Sequence, residues 1–229
     1  MRTATRKEKQ ARTRAKLMRS AGKLFCKRGL EQASVDDIAH DAGYTKGAFY
    51  SNFKSKEELF LAMLDQKFGE ELERIEAALG TDETADEAAR HAGEDLIRFL
   101  RSDPEWERLY LEFVAYAGRN DDFRQELLTR CRAMDERLAE VYRRWAGSVG
   151  IKSPLPLADI TQMTSIMTQG FLMTQQIDPD LGEELYGTMI AAFMLGLREM
   201  WRAQDPDAVR RLEESYRARS AAASGPGSG

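Results

Sequence analysis

Apolar residues recur at spacings of three and four along most of the chain, which predicts an all-α protein. From about Gln10 a first helix carries Leu17, Ala21, Leu24 and Phe25 on one stripe and ends at Gly29. A second, short pattern begins at Ser34, where Asp37 three residues on completes a capping box. Its apolar positions Val35, Ile38, Ala39 and Ala42 stop at Gly43, which can take the positive φ that ends a helix. Thr45 is placed to cap a third helix, in which Phe49 and Phe53 lie four apart and form the buried anchors. Lys46, Tyr50 and Ser51 then point outward, and the small residues Gly47 and Ala48 let this helix approach another surface closely. Two short helices about a glycine turn make a helix-turn-helix.

The pattern continues in longer elements. Ser55 with Glu58 forms another capping box, and Phe60, Leu64, Phe68, Leu72, Ile75 and Leu79 run as one stripe to about Gly80. The free backbone donors at that helix start, beside Lys54 and Lys56, suit a phosphate. Thr84 with Glu87 opens a helix through Leu96, Phe99 and Leu100, and Asp103 and Pro104 supply a cap and first-position proline for the next, which ends near Gly118. Leu127, Cys131, Met134, Leu138, Val141 and Trp145 mark a long packing seam, followed by a Gly, Ser and Pro break over 147–156. From Ile160 to Ile177 no residue is charged, so this is no conventional surface helix; its partner spans about Leu181 to Trp201. Asp205 and Pro206 can open a last helix to about Arg219, and a disordered tail is expected over 220–229.

Charge divides the chain. A net charge of −4 conceals 14 Lys or Arg against 5 Asp or Glu in residues 1–56, and 20 against 33 in the remainder. A basic block that also carries a helix-turn-helix pattern points to nucleic acid, and the acidic remainder argues against further such contacts there. The arm over residues 2–16 is strongly basic and nearly devoid of apolar residues, so its early part is expected to be disordered alone and to track phosphates or enter a minor groove.

Other chemistries find little support. An enzyme would need a nucleophile with a base, paired carboxylates or a metal set, but His40 and His91 lie in separate regions and the carboxylates are scattered at helical solvent spacing. Cys26 and Cys131 lack metal-type spacing and suit small buried positions, so neither metal nor cofactor is expected. No run of eighteen apolar residues occurs and the basic start has no apolar core, which leads us to expect no membrane span and a cytoplasmic setting. A helical interaction module whose basic end touches RNA or anionic lipid is the competing class.

Residues of roughly 10 to 65 resemble the tetracycline-repressor (TetR/AcrR-like) transcriptional regulators. The match is carried by the Val35-to-Ala42 helix, Gly43 and the run from Thr45 through Phe53 and Lys54-Ser55-Lys56-Glu57-Glu58-Leu59. The resemblance implies an N-terminal three-helix DNA-binding domain, drawn here as 1–56, and a C-terminal helical effector-binding and dimerisation domain, drawn as 57–219. It also implies a homodimer that binds a palindromic operator, represses and is released by a small effector; an activator of the same family is the alternative.

Under that reading each residue takes a role. Thr45, Lys46, Gly47 and Ala48 face base edges, Tyr50, Lys54 and Lys56 the phosphates, and Ser34 a phosphate at the first motif helix. Ser51 and the arm residues Arg6, Lys7, Arg12 and Arg14 complete the DNA-binding set. Phe99, Trp106, Tyr110, Phe113, Met134, Met163, Met167 and Phe171 are the candidate lining for a largely apolar effector, with plain core packing as the competing reading. Gly170, Met189, Ala192, Phe193, Gly196, Leu197 and Met200 form the candidate dimer surface, again against internal core, because helix pairs pack as four-helix bundles in symmetric dimers.

Overall fold

The computed structural model describes residues 5–80, 84–148 and 152–204, with positions 207, 210 and 214 beyond them. Among the described residues it is all-helical: α1 Arg6–Gln32, α2 Val35–Asp41, α3 Lys46–Tyr50, α4 Lys56–Leu79, α5 Ala85–Arg101, α6 Pro104–Ala117, α7 Asp121–Ser148, α8 Leu157–Gln175 and α9 Glu183–Gln204. The last helix expected from Asp205 and the tail over 220–229 lie outside the described residues, apart from those three positions.

By packing the chain forms two units, residues 1–74 with 96–134, and 75–95 with 135–229. Helices α4, α5 and α7 contribute residues to both. This grouping is one of contact, distinct from the division by role drawn after Lys56.

In the first unit, caps fix the helix ends. Ser34 accepts from the Asp37 N–H while the Asp37 carboxylate returns to the Ser34 backbone, and Thr45 accepts from the Ala48 N–H. Gly43 has φ 74°, a left-handed conformation that lets the chain reverse between α2 and α3 without the strain a side chain would impose. Phe49 and Phe53 are buried as expected, beside Leu17, Ala21, Phe25, Ile38 and Phe60. Phe60 stacks on Phe113 at 3.5 Å between ring centroids and meets Phe25 edge-on at 5.0 Å, so one aromatic cluster joins α1, α4 and α6. Burying each such ring contributes about 2 kcal/mol.

The second unit is held differently. A Cβ built on Gly93 of α5 would come within 3.2 Å of Ile190, and one on Gly187 of α9 within 3.0 Å of the Arg90 carbonyl. These two helices therefore cross where both lack a side chain. Tyr186 is fully buried against Phe171 at 5.2 Å, with its hydroxyl on that of Thr168.

Three expectations need correction. The basic arm is helical from Arg6 rather than from about Gln10, because Thr5 and Glu8 form a capping box and neither glycine nor proline occurs between Arg6 and Ala21. Residues 1–4 lie outside the described residues. Glu58 accepts from the Lys54 N–H rather than from Ser55, although Ser55 does cap the Glu58 N–H. The two cysteines are half-buried rather than fully enclosed, and the Cys26 thiol sits 3.1 Å from the Glu105 carbonyl.

Candidate nucleic-acid interface

Two exposed polar surfaces mark the first unit, one on α3 and one on the outer face of α1. Thr45, Lys46, Gly47 and Ser51 are exposed, Tyr50 is 51% exposed, and Ala48 is half-buried. The backbone of α3 is held from behind: the Arg14 guanidinium donates to the Asn52 carbonyl and lies 4.0 Å over the Phe53 ring. Asn52 in turn donates to the Ala48 carbonyl at 2.8 Å. Lys46 is bonded to Asp36 at 2.8 Å, and this carboxylate raises the lysine pKa. Both groups are exposed, so the pair is a weak one that a phosphate or base edge can displace.

Two cations expected at phosphates are committed elsewhere. The Lys56 ammonium donates to the carbonyls of Leu30 at 2.7 Å and Glu31 at 3.0 Å and also reaches that of Ala33, satisfying the carbonyl groups where α1 ends. Arg14 is the α3 clamp just described. Both hold the interface together from within. Ser34 is exposed, but its hydroxyl both caps Asp37 and donates to that carboxylate at 2.7 Å. The same hydroxyl holds the Asp37 carboxyl below its usual range.

The other cations stay outward. Arg6, Lys7, Arg12 and Lys54 are exposed. So are Lys9, Lys16, Arg19, Lys23 and Lys27, which the candidate set omitted. With Arg12, these five lie within an arc of about 80° on an ideal helix, forming a basic rib along α1. Their three- and four-residue spacing was a usable signal.

The expected effector residues do not converge on one kind of environment. In the first unit Phe113 is sealed inside the aromatic cluster, so it is core. Phe99 is half-buried and Trp106 buried; both face the Lys67 ammonium, 4.2 and 5.6 Å from their ring centres. Lys67 is only 6% exposed and pairs with Asp103 at 3.5 Å. One turn on, burial pushes the Glu71 carboxyl up to about 7. Burial also raises the Tyr110 phenol, and Met134 is buried. Sequence reading missed the Lys67 and Glu71 pair, although charges at 67 and 71 interrupt the stripe through Leu64 and Phe68.

In the second unit Phe171 is buried, Met167 half-buried, and Met163 faces outward at 42% exposure. An apolar pocket lies instead among α7, α8 and α9, with Tyr142, Trp145, Leu157, Ile160, Met194 and Arg198 in its wall. None of the expected effector residues lines it.

The candidate dimer residues also divide. Gly170, Ala192, Gly196 and Met200 are exposed, and Met189 and Phe193 half-buried. Leu197 points inward, buried and on the pocket wall. Around them α8 exposes Met163, Ile166 and Met173, with Ile177 just beyond its end, and α9 exposes Leu185, Leu195 and Met200. Two helices thus present one uncovered apolar stripe each. No helix among the described residues is long and apolar enough to cross a membrane, so the stripes are not explained by a bilayer span.

The family model for bacterial regulatory proteins of the tetR family matches residues 17–63, the span from the α1 stripe through the start of α4. The uncharacterized HTH-type transcriptional regulator YwcC of Bacillus subtilis (strain 168) is 36% identical over 90 residues, covering 37% of this chain and 40% of that protein. The chain thus spans about two fifths of that relative's length in the match. Among solved structures, the fatty acid degradation regulator FadR from Bacillus halodurans aligns with TM-score 0.67 at 16% identity, over 85% of this chain and 97% of that one. FadR from Bacillus subtilis, solved with stearoyl-CoA, aligns with TM-score 0.64 at 21% identity, over 78% and 95%. At those identities the likeness concerns the fold.

Proposed function

Taking as premise that the chain belongs to the tetR family of bacterial regulatory proteins, we propose that it is a ligand-responsive transcriptional regulator that binds a palindromic operator as a homodimer in the cytoplasm. The observation that carries this reading is the exposed α3 edge of Thr45, Lys46, Gly47 and Tyr50, backed by the Arg14 clamp, in a unit whose α1 also carries an outward basic rib. Base edges would meet Thr45, Lys46, Gly47 and Ala48. Phosphates would meet Tyr50, Ser51, Lys54 and the outward cations of α1, with Ser34 close by at the start of α2. Because α3 spans only Lys46–Tyr50, one copy makes few contacts, and useful specificity calls for two copies on half-sites about 34 Å or more apart.

The largely apolar outward stripes of α8 and α9 supply the means of pairing, through Gly170, Ala192, Gly196 and Met200 with the exposed Ile166 and Met173. Repression follows where the operator overlaps a promoter. The effector is taken to be apolar and acyl-like, since the Bacillus subtilis structure of the same fold holds stearoyl-CoA. Such a compound releases DNA only if it binds the non-binding shape more tightly.

Footprinting on the DNA flanking the chain's own gene, with and without palmitoyl-CoA and palmitate, tests the proposal. A protected inverted repeat that is lost on adding either compound is expected. Protection without dyad symmetry would overturn the dimeric operator, and protection indifferent to both compounds would overturn the acyl effector.

A further inference from the structure

We propose that the basic rib of α1 is a second DNA-binding surface, which holds the phosphate backbone of a separate duplex segment while α3 is engaged on an operator. This deepens the reading above by naming whose phosphates the α1 cations meet, and it rests on α3 as the operator contact.

Sequence and exposure build the rib together. On an ideal helix every residue from Lys9 to Lys27 that falls in the arc of about 80° is cationic: Lys9, Arg12, Lys16, Arg19, Lys23 and Lys27. All of them are exposed. Over the same stretch α1 has no Asp or Glu. A solvated helix face commonly alternates signs, because like charges four residues apart destabilise a helix. Here like charges follow one another at steps of three or four from end to end, so the face suits an anion that α1 itself does not provide. Lys16 is turned toward the Tyr44 ring, 5.6 Å from its centre. The other cations of the rib make no ion pair among the described residues, and Asp41, near its margin, accepts from the Ser20 hydroxyl at 2.7 Å instead.

Direction separates the rib from the operator contact. Arg14 leaves α1 about 180° from the rib's midpoint and reaches the Asn52 carbonyl behind α3. The buried Leu17, Ala21 and Phe25 also lie on the far side of the helix from the rib. The rib therefore faces away from the exposed edge of α3, with α1, about 10 Å across, between it and the Arg14 clamp.

Length and charge choose the occupant. Lys9 to Lys27 spans about 27 Å, the rise of about eight base pairs, and a duplex carries about 16 phosphates over that length. A lipid surface fits less well. A helix lying in a membrane interface buries its apolar face there, and the apolar face of α1 is enclosed within the unit.

The test is a two-duplex capture. The full chain is loaded on a bead-bound inverted-repeat duplex from a footprint, which occupies both heads of a dimer, and a labelled duplex of about 30 base pairs without that repeat is added at about 50 mM salt. Scored per chain retained on the beads, the natural chain should hold the labelled duplex. Arg19→Gln, Lys23→Gln and Lys27→Gln together should lower that capture about tenfold or more and make its salt slope shallower by about two to three units. Lys23→Arg with Lys27→Arg should keep it. The neutral variant should melt no lower than the natural chain, since like-charge neighbours are removed. Undiminished capture by the neutral variant, or no capture by loaded natural chain, would overturn the proposal. So would retention of phosphatidylglycerol vesicles or polyglutamate in preference to the duplex, which puts the partner in another class. A chain that fails to load on the beads at all would overturn the operator reading, and the proposal with it.

Discussion

The α1–α3 head and the α8–α9 pair solve opposite problems with helices. In the head, apolar residues are spent inward: Phe49 and Phe53 are buried, and what remains outside is charged, polar or small. In the pair the outside is itself apolar, with Ile166 at 62% and Met173 at 56% exposure. A head that shows only polar groups is finished as a folded object and waits for a charged partner. A helix pair that shows methionine, leucine and isoleucine is unfinished, and what completes it must be apolar.

If that contrast holds, substitutions on the two sides should fail in different ways. Phe53→Ala should cost the head about 3–5 kcal/mol, read as a lower urea midpoint, because the ring holds both Phe49 and the Arg14 clamp. Ile166→Glu should leave the fold intact but weaken self-association by about thirtyfold or more in sedimentation, since the charge would be buried between copies. An unchanged dimer would detach the α8 stripe from pairing.

Glu71→Gln probes a site apart from both regions. The carboxyl is raised from 4.5 to about 7 by burial, so the folded chain holds a proton there after the unfolded chain has lost it. Stability from this group is complete below about pH 4.5 and is lost as pH climbs through about 7. The glutamine variant should therefore be more stable at pH 8, on the order of 2 kcal/mol, and gain little at pH 4. An equal gain at both values would show that the titration is not the cause.

The finest discrimination lies between two lysines two residues apart. Lys56→Met should lower stability by about 1–2 kcal/mol, because the carbonyls ending α1 lose their donor, and should leave the salt dependence of DNA binding intact once the chain is folded. Lys54→Ala should do the reverse: stability within about 0.5 kcal/mol, and a salt slope shallower by about one unit. Equal slopes for both variants would remove Lys54 from the phosphate contacts.

The same two lysines show where sequence stops. Ser34, Asp37, Gly43, Thr45, Phe49 and Phe53 were legible because caps, turns and helical spacing act over at most four residues, and the geometry of α2 and α3 derives from them. Lys56 was not, because its acceptors lie about 25 residues back, and a lysine beside a basic motif looks identical whether it serves a phosphate or a carbonyl. Arg14 failed for the same reason, its acceptor being 38 residues away. The chargeless run of α8 was visible as a surface of unusual kind, yet which of its methionines face out depended on packing that spacing alone does not fix. Met163 went outward and Leu197 inward for that reason. The pocket around Trp145 and Arg198 brings the end of α7 and the start of α8 against the more remote α9, and no local pattern announces it.

Two heads acting through one apolar pairing surface are the central claim. The most direct measurement is analytical ultracentrifugation of the full chain with an inverted-repeat duplex from a footprint and with its isolated half-site, using the natural chain and Ile166→Glu. Two chains per inverted repeat are predicted, with the half-site bound at least a hundredfold more weakly and Ile166→Glu binding both duplexes at the half-site level. Equal affinity of the natural chain for the two duplexes, at one chain each, would contradict it.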